Sequence, residues 1–328
     1  MMSIDLTTRL LSASDSAVDR AVACLIDGGL VAFPTETVYG LGADATQATA
    51  VARLYQAKGR PAFNPLIAHV ADLAAAQKIG RFDQNALRLA QAFWPGPLTL
   101  VVQKAAGCPV AELATAGLDT IAIRIPAHAV ARAILRGLGR PVVAPSANRS
   151  GHVSPTTAAH VRGDLDGRID LIVDGGPVTV GVESTIVGCF AKPVLLRPGG
   201  LPRQAIEAVL GEPLASPGEA AGAKPLAPGM LASHYAPRSR VRLDATRVEP
   251  GEALLAFGSP LPQGADLAAT VLNLSARGDL TEAAANLFGH LRALDGASPR
   301  GIAVMPVPHE GLGEAINDRL ARAAVPRE

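Results

Sequence analysis

The sequence has few aromatic residues, few cysteines and almost no net charge. Aromatic side chains make up 3% of the 328 residues, so any core must be aliphatic. The cysteines Cys24, Cys108 and Cys189 are odd in number and lack the paired spacing of zinc or redox motifs, which predicts free thiols in a reducing compartment. A formal net charge of +1 excludes a global field that would draw the chain onto nucleic acid or an anionic membrane.

Several functional signatures are also missing. No apolar run approaches the length of a membrane span, and the N-terminus does not resemble a signal peptide, so we expect a soluble, cytoplasmic protein without a membrane partner. The sequence contains no Gly-x-x-x-x-Gly-Lys-Ser/Thr loop, no Gly-x-Gly-x-x-Gly fingerprint and no Gly-x-Ser-x-Gly elbow. No cluster of histidine, cysteine and carboxylates has metal-ligand spacing, so no protein metal site is assigned.

What is present is an alternation of short apolar runs with helical patterns. Apolar residues make up 48% of the chain and charged residues 18%, a balance that favours packed domains over disorder. The alternation predicts an α/β fold with a twisted sheet of mixed direction and flanking helices. The strands are predicted at Leu30–Phe33, Leu66–Val70, Leu98–Val102, Ile121–Ile125, Pro141–Ala144, Leu171–Val173, Thr185–Val187 and Val194–Leu196. The helices are predicted at Ala48–Ala57, Asn85–Phe93, Ala129–Leu138 and Pro202–Leu210.

A change of composition after Gly211 predicts two domains. The stretch 212–230 is dominated by proline, glycine and alanine without periodicity, which is typical of a linker. Beyond it, strands are predicted at Ala253–Phe257, Thr270–Leu274 and Ile302–Val307, and Leu280–Leu294 has one apolar helical face. We therefore predict a first domain over 1–211, a linker and lid over 212–238, and a smaller α/β domain over 239–328.

Polar residues at the ends of the predicted strands are candidates for a ligand site. The segment Pro34–Gly42 has the pattern of a tight loop with exposed donors, and the alternative is an ordinary turn whose threonines cap the next helix. We expect Gly59 to end a helix and to leave Lys58 and Arg60 on a loop. Two such cations suit a polyphosphate, and the alternative is that they complement the dipole of that helix.

Further candidates follow other strands. Ser146 and Asn148 come after a buried strand, and Ser154 is a plausible N-cap of a helix that begins at the next residues. Arg124 lies in an apolar strand and needs either a structural carboxylate or an anionic ligand as partner, because an unpaired buried charge is costly. His69, in another apolar strand, is either a core histidine or a ligand. Together with the strand-end residues Ser184 and Arg197, these groups predict a polar cleft in an aliphatic domain.

Taken together and in order, these motifs resemble the YrdC-like domain of threonylcarbamoyl-AMP synthases. The motifs are Pro34–Gly42, Lys58-Gly59-Arg60-Pro61, Asn64-Pro65-Leu66, Ile123-Arg124-Ile125-Pro126, Pro145-Ser146-Ala147-Asn148, Glu183-Ser184-Thr185 and Leu196-Arg197-Pro198-Gly199. The segments Pro228-Gly229-Met230, Ser233–Pro237 and Gly311–Leu320 are similar to the longer, two-domain branch of that family. One departure is Gly188, where the family commonly has aspartate; we expect the neighbouring Cys189 to serve packing.

The resemblance implies a fold, a reaction and roles for residues. The first domain would resemble dihydroxybutanone-phosphate synthase, and the second would be Rossmann-like. The enzyme, a nucleotidyltransferase, would convert ATP, L-threonine and bicarbonate into threonylcarbamoyl-AMP, with Mg²⁺ arriving on the ATP, and would pass this product to enzymes that modify tRNA next to the anticodon. By the family's pattern, the catalytic residues would be Lys58, Arg60, Ser146 and Asn148. The nucleotide would also face Asn64, Thr120, Ser154, Arg197 and Tyr235. The threonine would face Thr37, His69, Arg124, Ala144 and Ser184.

Two other functions remain open from the sequence. A non-catalytic RNA-binding module would lose RNA affinity steeply with salt, but the cations here stand singly and without interleaved aromatics. A carbamoyl-transfer enzyme with a different acceptor, as in hydrogenase maturation proteins, would carry zinc-finger and acylphosphatase-like regions that are absent from this sequence. Direct binding of tRNA and the role of the second domain are left undecided.

Overall fold

A computed structural model describes residues 6–216, 235–297 and 299–325, which form two α/β units. The predicted α/β class with a large sheet of mixed direction is confirmed. The strands of this sheet are β1 (Arg9–Ser12), β2 (Val31–Pro34), β3 (Tyr39–Asp44), β4 (Ile67–His69), β5 (Gly80–Arg81), β6 (Leu98–Lys104), β7 (Thr120–Arg124), β8 (Val142–Val143), β9 (Leu171–Asp174), β10 (Thr185–Gly188) and β11 (Val194–Arg197). No helix among the described residues is long and apolar enough to cross a membrane.

The order of the large sheet brings distant parts of the chain together. The order is β1-β9-β2-β3-β8-β4-β7-β6-β10-β11, and β5 pairs with β6 at the side. Strands β4 and β7 run parallel with His69 opposite Arg124, whereas β6 and β7 run antiparallel. Polar residues that are more than a hundred positions apart therefore meet at one end of the central strands.

Helices cover both faces of this sheet because its strands alternate their side chains between two apolar layers. In β2, Val31 and Phe33 pack into one layer and Ala32 packs into the other. The helices of this unit are α1 (Asp15–Ile26), α2 (Ala48–Lys58), α3 (Leu73–Ile79), α4 (Gln84–Phe93), α5 (Ala129–Leu138), α6 (Ala158–Leu165) and α7 (Arg203–Leu210). The predicted packing role of Cys189 is confirmed, since it is buried within the layer that contains Ala32.

The second unit is a smaller, all-parallel sheet, as its Rossmann-like prediction implied. Its strands are β12 (Val241–Arg242), β13 (Glu252–Ala256), β14 (Val271–Asn273) and β15 (Gly301–Val304), in the order β12-β15-β13-β14. Its helices are α8 (Leu280–Gly296) and α9 (Gly313–Ala324). The apolar face predicted for Leu280–Leu294 is buried in one core, together with Ile316 and Leu320 of α9.

The two units pack closely. Val38, Val153 and Val182 of the first unit belong to the same apolar cluster as the second sheet and its helices. A Cβ atom added at Gly181 would lie 2.2 Å from the carbonyl oxygen of Ala284, so the backbones meet there with no room for a side chain. The predicted linker over 212–238, with its lid, lies largely outside the described residues.

The local predictions at Pro34–Gly42 and at Ser154 were wrong. The segment predicted as a loop over Pro34–Gly42 is instead the turn and returning strand of a β2–β3 hairpin, in which Phe33 pairs with Gly40. Its glycines suggested a turn, but they allow close packing: a Cβ on Gly42 would lie 2.6 Å from the ring of Phe33. Ser154 does not cap a helix; helix α6 begins later, and the Thr157 side chain accepts from the amide of His160 as its N-cap.

Candidate active site

One small cavity, here called the central pocket, collects most of the residues predicted for the site. It lies at the ends of strands β4, β7 and β11 and at the start of β10, and it encloses about 50 Å³. Its lining consists of Thr37, Val38, Arg60, Ile67, His69, Arg124, Ala144, Pro145, Ser146, Glu183, Ser184, Arg197 and Tyr235. Sequence reasoning had named all of these except Val38, Ile67, Pro145 and Glu183 as substrate-facing residues. The predicted convergence of cations and small polar groups is present.

Arg124 is held in the pocket wall by three partners. Its Nη2 donates to Glu36 Oε1 at 2.7 Å, its Nη1 donates to Thr37 Oγ1 at 2.9 Å, and its Nε donates to the carbonyl of Gly96 at 3.3 Å. The second oxygen of Glu36 accepts from the amide of Ala127 at 3.0 Å. The sequence left two kinds of partner open for Arg124, a structural carboxylate or an anionic ligand. Glu36 is such a structural carboxylate.

The electrostatics of this wall keep Glu36 ionised and His69 neutral. Burial acts to raise the pKa of Glu36, but the charge and hydrogen bond of Arg124 outweigh it and lower that pKa. Burial, followed by repulsion from Arg124, lowers the pKa of His69 to about 3. The His69 ring contacts the carbonyl of Ile67 through Nδ1 at 3.2 Å, and it lines the pocket at the same time. It is both a buried core histidine and a candidate ligand.

Ser184 and Arg197 form the opposite wall. The Ser184 hydroxyl lies 2.8 Å from Thr99 Oγ1. Arg197 donates to the Ser184 carbonyl from Nε at 3.2 Å and from Nη2 at 2.8 Å. Within the described residues its Nη1 donates to nothing. Arg197 is therefore fixed on one side and can accept an anion on the other.

Lys58 supports the pocket from behind. It is the last residue of helix α2, and Gly59 ends that helix with a φ of 61°. The expectation that Lys58 lies on a loop was wrong, because its amine is buried and donates to the carbonyls of Ser146 at 2.6 Å and of Asn148. Burial, and secondarily the charge of Arg60, lower the pKa of Lys58. Arg60 itself lines the pocket and is fixed by the carbonyls of Asn64 and Pro65.

Four other predicted residues lie outside the pocket lining. Asn64 and Asn148 are buried, and the Oδ1 atom of each has no hydrogen-bond partner among the described residues. Ser154 is buried and donates to Glu183 Oε1 at 2.5 Å. Thr120 is partly buried at the start of β7, two residues before Ala122, which pairs with Ile67 of the pocket. Their assignment to the nucleotide remains a prediction.

A buried ion pair joins the second unit to the pocket residue Glu183. Arg319 of α9 donates from Nε to Glu183 Oε2 at 2.8 Å and from Nη2 to the carbonyl of Pro198 at 3.0 Å. Its guanidinium lies over the ring of Tyr235, 5.2 Å from the centroid. Tyr235 has a φ of 63°, is 1% exposed, and stacks on Phe288 with ring centroids 5.4 Å apart.

Sequence reasoning did not identify Glu36, Glu183 or Arg319 as parts of the site. Glu36 and Glu183 lie inside motifs that were recognised, each next to a residue that was assigned to threonine. A carboxylate beside a predicted substrate residue was the available signal, since a buried cation needs such a partner. Arg319 also lies in a recognised segment, Gly311–Leu320, but nothing in that segment indicates that its helix faces the first domain.

Comparisons with known proteins agree with this architecture. Residues 23–199 match the family model Sua5/YciO/YrdC, described as telomere recombination, and residues 201–325 match the model of the C-terminal domain of threonylcarbamoyl-AMP synthase. Threonylcarbamoyl-AMP synthase of Bacillus subtilis (strain 168) is 42% identical over 338 residues, which cover 98% of this chain and 96% of that protein.

Solved structures and shorter relatives extend the comparison. The crystal structure of Pyrococcus abyssi Sua5 complexed with L-threonine has a TM-score of 0.87 at 39% identity, covering 97% of this chain and 98% of that chain. A putative threonylcarbamoyl-AMP synthase of Mycobacterium tuberculosis (strain ATCC 25618 / H37Rv) is 39% identical over 198 residues. Those residues cover 60% of this chain and 90% of that protein, so the likeness involves only part of this chain.

Proposed function

The chain belongs to the threonylcarbamoyl-AMP synthase family, and we propose that it makes threonylcarbamoyl-AMP from ATP, L-threonine and bicarbonate. The observation that carries the proposal is the convergence of Arg60, Arg124 and Arg197 with small hydroxyl groups around one pocket. Three fixed cations suit a site that holds an amino-acid carboxylate and brings the carbamate formed on the same amino acid against a nucleoside triphosphate. The nitrogen of threonine attacks bicarbonate with loss of water, and an oxygen of the resulting carbamate attacks the α-phosphorus while pyrophosphate leaves.

Arg124 and its neighbours are suited to threonine. An arginine has five N–H groups, and the three contacts of Arg124 within the described residues leave two for a carboxylate. Because Glu36 and Thr37 fix the guanidinium, its planar fork is presented in one orientation. The hydroxyl of Ser184 and the neutral ring of His69 offer hydrogen bonds to the remainder of the amino acid without adding charge.

Arg60 and Arg197 are suited to the phosphates. Phosphoryl and nucleotidyl transfer depend mainly on positioning and on stabilising charge that develops on phosphate oxygens. A carbamate oxygen is already anionic, so the reaction needs no strong general base. Lys58 assists indirectly, because its bonds to the carbonyls of Ser146 and Asn148 hold that loop beside the pocket. The reaction class is nucleotidyl transfer.

Mg²⁺ would accompany the ATP. The described residues contain no group of three or more histidines, cysteines and carboxylates that could hold a metal, so the ion would be carried chiefly by phosphate and water. The unpartnered amide oxygens of Asn64 and Asn148 are neutral oxygen donors of the type that this ion accepts, and they fit a supporting role. The ion would neutralise charge on the phosphates as pyrophosphate leaves.

Tyr235 lines the central pocket and is buried there. The pocket volume of about 50 Å³ is far below the roughly 300 Å³ at which small-molecule sites begin, so we expect Tyr235 to move when the nucleotide enters. A carbamate decomposes in water, and a closed site protects it. We expect Tyr235→Ala to lower the yield of threonylcarbamoyl-AMP about tenfold or more while the thermal unfolding of the first unit is preserved. An unchanged yield with intact ATP binding would remove this role for Tyr235.

The reaction itself is tested with purified protein, ATP, Mg²⁺ and bicarbonate. Pyrophosphate release should depend on L-threonine and should fall sharply when serine or alanine replaces it, and mass spectrometry should detect the mixed anhydride product. Release that is indifferent to the amino acid would contradict the proposal. The product is an activated acyl adenylate, so its consumer would be a transferase that places the threonylcarbamoyl group on the adenosine next to the anticodon of tRNA.

A further inference from the structure

A buried arginine of the second unit, Arg319, contacts a residue of the pocket lining, Glu183. Arg319 is 0% exposed, although it lies on a helix whose outer face is polar. Its Nε bonds Glu183, and its Nη2 bonds the carbonyl of Pro198, which directly follows Arg197. Both contacts cross from the second unit to the first.

Glu183 pairs with Arg319 and lines the same pocket as Arg197. One oxygen of its carboxylate accepts from Ser154 and the other accepts from Arg319. Burial acts to raise the pKa of Glu183, but the charges of Arg319 and then of Arg197 outweigh it and lower that pKa to about 2. Arg197 lines the same pocket as Glu183, yet its hydrogen bonds go to Ser184.

The consequence of removing Arg319 follows from the cost of a buried charge. A buried carboxylate that loses its partner is strongly destabilised unless another cation replaces it. Arg197 is the candidate, because it lines the same pocket as Glu183. An ion pair with Glu183 would turn the Arg197 guanidinium away from Ser184 and would neutralise its charge.

We propose that Arg319 of the C-terminal domain is a positioning residue that engages Glu183 and so keeps the Arg197 guanidinium available for the nucleotide. The inference rests on the proposed ATP-dependent function and gives the C-terminal domain a part in the site. Arg319 acts through Glu183 and Arg197 and does not line the pocket itself.

A double-mutant cycle tests this role. ATP and L-threonine binding are measured by titration calorimetry for the wild type, Arg319→Gln, Glu183→Gln and the double variant. We expect Arg319→Gln to weaken ATP binding about tenfold or more, with a smaller effect on threonine. In the Glu183→Gln background the same change should alter ATP binding less than about threefold, because no carboxylate remains to capture Arg197.

The matched control is Arg203→Gln. Arg203 also bridges the two units, with Nη2 2.6 Å from Glu314 Oε1, but it does not line the pocket. We expect its ATP binding to equal that of the wild type. Thermal unfolding of each variant shows whether it is folded, and Arg319→Lys, which keeps the charge, should retain most of the ATP affinity.

The outcomes separate this inference from the proposed function. Equal loss of ATP affinity in both backgrounds would make Arg319 a packing residue and overturn the inference. If Arg319→Gln binds ATP as tightly as the wild type does, the inference is overturned and the proposed function is not. A wild-type protein that binds no ATP would overturn the proposed function as well. If Arg319→Gln does not fold, Glu183→Gln is compared with the double variant. An ATP affinity that is more than about tenfold lower in the double variant contradicts the proposal.

Discussion

At the scale of single residues, the buried arginines differ in how their charge is balanced. Arg124 has Glu36 and Arg319 has Glu183, each at hydrogen-bond distance. Arg197 is held by the carbonyl and hydroxyl of Ser184 and has no carboxylate within ion-pair distance among the described residues. A buried cation without an anionic partner is costly. A phosphate would supply that partner, so Arg197 would gain an ionic contact from a bound nucleotide.

Glu36→Gln tests the support of Arg124. Breaking a buried ion pair by removing one partner should lower the free energy of unfolding by about 3 kcal/mol, and the loss of orientation should weaken L-threonine binding about tenfold. ATP binding should change little, because Arg60 and Arg197 are untouched. Urea unfolding and calorimetric titration measure both effects.

The control for Glu36→Gln is Glu112→Gln. Glu112 pairs with Lys104 at 3.1 Å, but its side chain is 77% exposed, and exposed ion pairs contribute about 0–1 kcal/mol. Equal destabilisation by the two variants, or unchanged threonine binding in Glu36→Gln, would show that the buried pair does not position Arg124.

At the scale of elements, the β2–β3 hairpin brings Thr37 and Glu36 to the pocket. The turn between its strands carries both residues, and the returning strand pairs with β8, the strand that precedes Ser146. The hairpin packs closely because its glycines carry no side chains. A Cβ at Gly40 would lie 3.2 Å from the Cβ of Ala144, and the contact at Gly42 would be closer still.

Gly42→Ala should therefore destabilise the protein and disturb threonine binding together. Overpacking of a tight core costs about 1–3 kcal/mol, and the added methyl at Gly42 would collide with Phe33 and Val142. Gly163→Ala is the matched control: Gly163 lies in helix α6 with nothing within 4 Å of an added Cβ, so this change should be neutral or stabilise by up to about 1 kcal/mol. If chemical unfolding shows Gly42→Ala to be as stable as wild type, the hairpin does not depend on this close approach.

At the scale of the whole molecule, buried and half-buried ion pairs join the two units. Besides Arg319–Glu183, Arg292 of α8 bonds Asp164 of α6 at 2.8 Å. The apolar cluster that contains Val38 and Val182 continues across the same boundary. Protonation of the carboxylates in these pairs should therefore weaken the boundary.

The lowered pKa of Glu183 predicts acid sensitivity. Its pKa is about 2 in the folded protein and near the ordinary 4.5 when unfolded, so its contribution is fully present above about pH 4.5 and is lost as the pH falls toward 2. Between pH 6 and pH 3 this single group should cost about 2 kcal/mol of stability.

Glu183→Gln isolates this contribution. Its free energy of unfolding, measured in urea across this pH range, should be lower than that of wild type at pH 6 and should fall less steeply with acid. Other carboxylates contribute equally to both proteins and cancel in the difference. Parallel pH profiles for the two proteins would show that Glu183 does not carry the effect.

The elements and most of the pocket were predictable because their signals are local. Short apolar runs bounded by turn residues predicted the strands β4, β7 and β10, and Gly59 marked the end of helix α2. Polar residues at the ends of such strands predicted the pocket, because sheet pairing brings strand ends together. The prediction was wrong where a local signal had two meanings. The glycines of Tyr39–Gly42 suggested a turn, but a neighbouring strand required them.

The sequence by itself determined the α/β class, the family and the convergence of Arg60, Arg124, Ser184 and Arg197. These could be predicted because the polar residues at strand ends belong to short, contiguous motifs. Only the tertiary structure decided which groups balance the buried charges. Arg319 and Glu183 are separated by 136 positions. Their pairing depends on how two domains pack, which is a property of complementary surfaces and is not encoded in any local pattern.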